Sequence, residues 1–405
     1  MTSSRVWLSG FLLLGVLLGL LGSLLVVWQY HIDVEPQLIG LHFLALNAGY
    51  VVAAVTAQRL LPQVRAKTLA RIASGTAFAS LILLVWVAPP VAVGWRLSVI
   101  AIVGLSAGAL GKSLLYGSER SFRSKPAQTI GLAGVLFGSG CLLVTLITGT
   151  TYFFGPVRIQ AACLAVVPLI FFVLFSRIDG RVNQAESPGS ELKIQRDMLG
   201  DLRSIATVLF SLLLFFQFGN EGALAGWLPL FLVHRLGSNP ALAIGVLAIY
   251  FLVLTVGRLI AHRLLRRWNH RKFLLASIAA AVSGFLLLSL STSLALATVG
   301  VAVIGAGFAP IYPLIAERLD ERFSFHPGFY NGTISIAVTG AMSAPWLLGL
   351  VDEWLGMRYV MLVPALGSVV VLLLSLLLMF EAHLMGDRPV VDKPAEKVRS
   401  ARAGS

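Results

Sequence analysis

The chain has 405 residues, of which 57% are hydrophobic and only 12% charged, about half the charged share of an ordinary soluble domain. So few charges cannot cover a water-facing surface of this size, and apolar runs long enough to cross a bilayer recur from end to end, which excludes a soluble globular fold. A net charge of +13 would suit a nucleic-acid binder, but the Lys and Arg residues sit in short segments between the apolar runs, at the level of lipid headgroups, so nucleic acid is not an expected partner.

Apolar runs bounded by charges, Pro or Gly clusters predict twelve membrane-spanning helices near 6–29, 37–58, 69–88, 95–116, 127–149, 157–176, 204–233, 241–263, 273–291, 295–316, 328–350 and 359–380. The first run is too long for the core of a secretory signal and lacks a small-residue cleavage site, so it is read as a span. The loop after it holds His31, Asp33 and Glu35, whose spacing matches no metal-ligand pattern, and the second span carries His42 and Asn47. The fourth span places Lys112 on a face with Gly104, Gly108 and Gly111; the Lys either serves a site or extends its ammonium to the nearby headgroups. Cys141 and Cys163 both fall within apolar runs and read as packing residues, with no disulfide or zinc pattern.

The polar stretch 177–203, which contains Ser187-Pro188-Gly189-Ser190, reads as a linker between two six-helix halves. The predicted organisation is a first bundle at 1–180, a cytoplasmic linker at 181–202, a second bundle at 203–386 and a disordered cytoplasmic tail at 387–405. Basic residues divide 25 to four between alternate loops, which predicts that both termini are cytoplasmic. The halves also echo each other: Arg59-Leu60-Leu61 follows the second span and Arg263-Leu264-Leu265 follows the eighth.

In the seventh span Gln217, Asn220, Glu221 and Leu224 are spaced to share a helix face. An ionisable side chain inside a bilayer costs roughly 2.5–3.5 kcal/mol on insertion scales, so Glu221 is the leading site residue; a hydrogen-bonded knot between helices is the alternative. Counting 1.5 Å per residue from Ser204 puts it roughly 25 Å along the span, beyond the midplane. Gly219, Gly222, Gly226 and Pro229 are expected to weaken the helix around it, and Gly305 to Pro313 to break the tenth span. Arg258, in the eighth span, needs a carboxylate, a helix C-terminus or the headgroups as partner. Asn331, Ser335, Thr339 and Ser343 form a small polar stripe on the eleventh span, and Trp227 and Tyr312 could stack on a ring. No catalytic triad, phosphate loop or metal cage is recognisable, so no enzyme activity, cofactor or metal is expected.

The run Gly219-Asn220-Glu221-Gly222-Ala223-Leu224-Ala225-Gly226-Trp227-Leu228-Pro229 resembles the major facilitator superfamily, and within it the fucose-permease-like branch. Gly257-Arg258, Ala309-Pro310-Ile311-Tyr312-Pro313 and Trp28-Gln29-Tyr30-His31 carry the same resemblance, which covers about residues 6–380. It implies two six-helix bundles around a central cavity that opens alternately to either side, with proton-driven uptake of sugars or related solutes. Two departures stand out: Ala261 occupies the place of the Asp that locks the family's bundles, and no Asp follows the second span.

The expectation is therefore an all-α secondary transporter of the inner or plasma membrane, working as a monomer on a small-molecule substrate in the lipid bilayer, with protons as the candidate coupling ion. Substrate contacts are assigned to Glu221, Asn220, Gln217, Trp227, Tyr312, Lys112, Asn47, His42 and Asn331, proton coupling to Glu221, and gating to Arg258 and Arg59. The alternatives are an exporter of amphipathic compounds and a transport-inactive receptor or assembly factor.

Overall fold

The computed structural model describes residues 3–30, 35–124, 126–154, 157–178, 205–264, 269–322 and 327–384. Its helices are α1 (Ser3–Val27), α2 (Pro36–Leu60), α3 (Ala66–Val87), α4 (Val93–Gly117), α5 (Glu119–Ser124), α6 (Pro126–Phe154), α7 (Val157–Arg177), α8 (Ile205–Leu236), α9 (Pro240–Leu264), α10 (His270–Leu290), α11 (Leu294–Arg322), α12 (Pro327–Leu355), α13 (Met357–Val360) and α14 (Leu362–Leu384). Twelve are long and correspond to the twelve predicted spans; eleven are both long and apolar enough over their described residues to cross a membrane. The predicted linker and tail lie outside the described residues.

In the first half α1 packs on α6, α2 on α4, and α3 on α4 and α7; in the second, α8 packs on α12 and α14, α10 on α11 and α14, and α9 on α11. The halves meet through α2 with α12, α6 with α9 and α1 with α8. Lipid cannot drive apolar helices together as water does, so these contacts depend on close backbone approach. Gly104 and Gly108 supply it between α4 and α2, where an added Cβ would fall 2.1 Å from the Leu46 carbonyl oxygen and 2.2 Å from that of Tyr50. Gly104→Val is expected to destabilise the protein by about 3 kcal/mol or more, read as a fall in the thermal unfolding temperature in detergent. Unchanged unfolding would show that α2 can move aside.

The glycines and prolines of α8 and α11 do not break these helices, contrary to expectation: Pro229 lies inside α8, and Pro310 and Pro313 inside α11. A buried proline is tolerated where neighbours cover the carbonyl it leaves free four residues earlier. Pro229 frees the Ala225 carbonyl, and the Gly22 backbone of α1 presses on it so closely that a Cβ would lie 2.1 Å from the oxygen. Pro345 of α12 frees the Ala341 carbonyl, and Gly222 of α8 meets it at the same 2.1 Å. These glycines serve contact between helices, with Cα–H groups facing oxygen, rather than flexibility within one.

The end of the bundle opposite the N terminus carries exposed Trp86, Trp95, Phe153 and Trp354. Aromatic rings at this level mark a membrane interface.

Candidate functional site

A cavity lies between the halves, lined by residues of both. Aromatic and aliphatic side chains make most of its wall, among them Phe11, Phe43, Phe137, Phe218, Phe251 and Met342. The lining extends to Leu115, Phe122 and Ile130, toward the end that carries the N terminus. At the opposite end α2 and α12 close on each other: a Cβ on Gly40 would lie 2.9 Å from the Trp346 carbonyl oxygen, and one on Gly349 2.8 Å from that of Pro36.

The charged centre of the wall is a pair contributed by two helices. Arg258 Nη2 on α9 donates to Glu221 Oε2 on α8 at 2.8 Å, with the side chains 4% and 15% exposed. Gln217, one turn before Glu221, donates its Nε2 to Oε1 at 3.0 Å, as the four-residue spacing allows. Arg258 Nη1 then crosses between the halves and donates to the Gly134 carbonyl of α6 at 3.2 Å. A Cβ at Gly134 would make only ordinary contact there, 3.9 Å from Arg258 Cδ and 3.7 Å from the Tyr312 ring. Gly257 serves the adjacent contact, because a Cβ there would lie 2.6 Å from that of Ala309 on α11.

The other assigned residues divide. Tyr312 lines the cavity with its ring centroid 5.2 Å from that of Phe218. Asn220, although adjacent in sequence to Glu221, turns to α14 and donates Nδ2 to Ser368 Oγ at 3.3 Å. Trp227 is fully buried and donates its indole N–H to the Pro345 carbonyl at 2.7 Å, pinning α8 to α12. Lys112 is buried on α4, where its neighbour Gly111 reaches the cavity wall. Asn47 is half-buried, its Oδ1 without a hydrogen-bond partner. Arg59 is exposed at the end of α2. The Asn331 side chain, His31 and Asp33 lie outside the described residues.

His42 is fully buried against the Trp28 and Tyr30 rings rather than in the cavity wall. Its Nδ1 lies 2.7 Å from the Leu38 carbonyl, which can only accept, so this nitrogen carries the proton and Nε2 accepts from the Tyr30 hydroxyl at 3.0 Å. The Arg96 guanidinium lies over the Tyr30 and Trp28 rings, 5.6 and 6.0 Å from their centroids. In the sequence Arg96 reads only as a loop charge.

Three cavity residues escaped the sequence reading. Tyr50 and Tyr250 were not singled out in the sequence, and Cys141, read there as packing, is buried in the wall with Sγ 3.4 Å from the Gly15 carbonyl. The four-residue spacing of Tyr250, Leu254 and Arg258 was the available signal, since it sets them on one face of α9. Among the described residues no group of three or more His, Cys, Asp or Glu side chains could hold a metal.

The family model described as Major Facilitator Superfamily matches residues 118–342. The chain is 27% identical over 158 residues to the uncharacterized transporter y4wD of Sinorhizobium fredii; this match covers 38% of the chain and spans 42% of that relative's length. Among solved structures, it resembles the E. coli fucose:proton symporter FucP, with a TM-score of 0.62 and 16% identity over 93% of this chain and 98% of FucP. It also resembles the E. coli xylose transporter XylE in a partially occluded inward-open conformation, with a TM-score of 0.71 and 14% identity over 91% and 95% of the two chains. At these identities the two structures speak for the fold.

Proposed function

The chain belongs to the Major Facilitator Superfamily, and on that premise we propose that it is a secondary transporter that carries a small amphipathic solute across the inner or plasma membrane. The observation that carries this reading is the cavity between the halves, walled mainly by aromatic and aliphatic side chains and bearing one charged pair. A sugar presents hydroxyls around its whole ring and needs a matching set of donors and acceptors, whereas polar side chains are a small minority of this wall. The sugar reading is favoured instead by the Tyr312 and Phe218 rings and by the sugars for which FucP and XylE are named. In either case residues 1–180 rock against 203–386, joined by a cytoplasmic linker at 181–202, and Glu221 takes up the coupling proton.

Purified protein in liposomes, tested for saturable uptake of a panel of amphipathic acids, amides and amines beside fucose and xylose, separates the readings. At least one amphipathic compound is expected to be taken up saturably. Saturable uptake of the sugars alone would overturn the amphipathic assignment, and uptake of nothing would overturn transport.

For orientation, a reporter placed at Ser238 is expected on the outer face and one fused after the tail in the cytoplasm. Both reporters on one side would overturn the topology.

A further inference from the structure

The polar atoms of the cavity are unbalanced, and the imbalance has a chemical reading. Each oxygen of Glu221 accepts one hydrogen bond, one from Gln217 and the other from Arg258. Arg258 is not: of its five N–H groups one goes to Glu221 and one to the Gly134 carbonyl, while Nε is buried without a partner. The Tyr250 hydroxyl, fully buried two turns away on the same face of α9, is also unpartnered. The wall thus holds spare donors on its one cation, while each oxygen of its one carboxylate already accepts a bond and the unpartnered Gln217 Oε1 belongs to a side chain outside the lining. A buried donor left unpaired costs about 1–3 kcal/mol, which a ligand that only accepts would recover.

Charge selects further among acceptors. A cationic ligand would add a second positive charge beside Arg258, and a guanidinium cannot lose its proton, so the cavity would keep an uncompensated positive charge. An anionic ligand takes Arg258 instead, and the released Glu221 can become neutral by binding one proton from water. The result is a neutral set: guanidinium, bound anion and protonated Glu221. The titratable and charged groups around Glu221 are Arg258 and Tyr250 from α9, Tyr312 from α11 and Cys141 from α6. Among the described residues, α1 and α12 present only glycine, alanine, proline and apolar side chains to the cavity.

We propose that this site takes an amphipathic organic anion with a carboxylate head, which docks on the spare N–H groups of Arg258 and the Tyr250 hydroxyl while Glu221 takes up one proton. The apolar body rests among the phenyl rings of the wall. No covalent bond is made or broken; one anion and one proton occupy the site together, so the step is electroneutral. Because the complex holds one more proton than the free protein, affinity rises as pH falls, until the free carboxylate itself becomes protonated. The assignment rests on the transport reading above and narrows its substrate.

The probes are 2-naphthoate, its neutral amide 2-naphthamide and the cation 2-naphthylmethylammonium, tested with the full-length protein. Calorimetry in buffers of different protonation enthalpy is expected to show naphthoate binding at least about 10-fold tighter than the amide, with uptake of about one proton per anion. Glu221→Gln should keep naphthoate binding and lose the proton uptake; Arg258→Gln should lose the preference for the anion. Equal or tighter binding or uptake of the amide or the amine, or anion binding without proton uptake, would overturn the anion assignment and leave transport standing. Uptake of none of the three, nor of the wider panel, would take down both.

Discussion

Arg258→Gln is expected to reduce transport at least about 100-fold and to lower thermal stability, while Glu221→Gln combined with Arg258→Gln recovers the stability but not the transport. The single change leaves the Glu221 carboxylate in an apolar wall without its cation, and removing one partner of a buried pair typically costs about 3 kcal/mol. The double change replaces both charges with amides of similar shape, so that cost disappears. Transport does not return, because the charged hydrogen bond from Arg258 and the crossing to Gly134 are both gone. Thermal unfolding in detergent and initial uptake rates in liposomes measure the two effects separately. If the double variant regains both, the pair is a structural clamp with no part in the transport cycle. If Arg258→Gln loses neither, the guanidinium is satisfied elsewhere.

Gly40→Leu and Gly349→Leu are expected to shift the protein at least about 10-fold toward a state open at the end opposite the N terminus. Each added side chain would meet a backbone carbonyl of the facing helix, Trp346 or Pro36, and a backbone cannot swing away as a flexible side chain can. The strain is confined to the closed form of that end, so the halves relieve it by separating there. Phe43, one turn from Gly40 and part of the cavity wall, supplies the reporter. In a chain carrying Cys141→Ser, Cys163→Ser and Phe43→Cys, a membrane-impermeant maleimide added from that side should label residue 43 faster once either glycine is enlarged. Unchanged labelling in a protein that unfolds at its usual temperature would show that this end closes elsewhere.

The twelve long helices were legible because hydropathy over about 20 residues reports the solvent directly, and the solvent here is lipid. Side-chain partnership was less legible. The face Gln217, Asn220, Glu221 and Leu224 was read as one surface, but neighbouring residues on a helix diverge by about 100°. Asn220 therefore reaches α14, while Glu221 looks into the cavity. The partner of Arg258 lies 37 residues away on another helix, a pairing that depends on which helices become neighbours and leaves no trace in local spacing. Gly222 was misread for a related reason: a glycine that loosens its own helix and one that admits a neighbouring backbone look the same in one dimension.

The exposed tryptophans have a consequence for how the molecule sits in membranes of different thickness. Trp86, Trp95 and Trp354 are stiff, amphipathic rings that resist leaving one interface, whereas the opposite end carries Arg59, Arg65, Lys67, Arg71, Arg271 and Lys272, whose long stems bend to follow the headgroups. When the hydrocarbon layer thickens or thins, the aromatic end stays in register and the basic end absorbs the mismatch by snorkelling. The cavity reaches toward that compliant end, through Leu115, Phe122 and Ile130, so lipid chain length acts on its mouth more than on the Gly40–Gly349 contact.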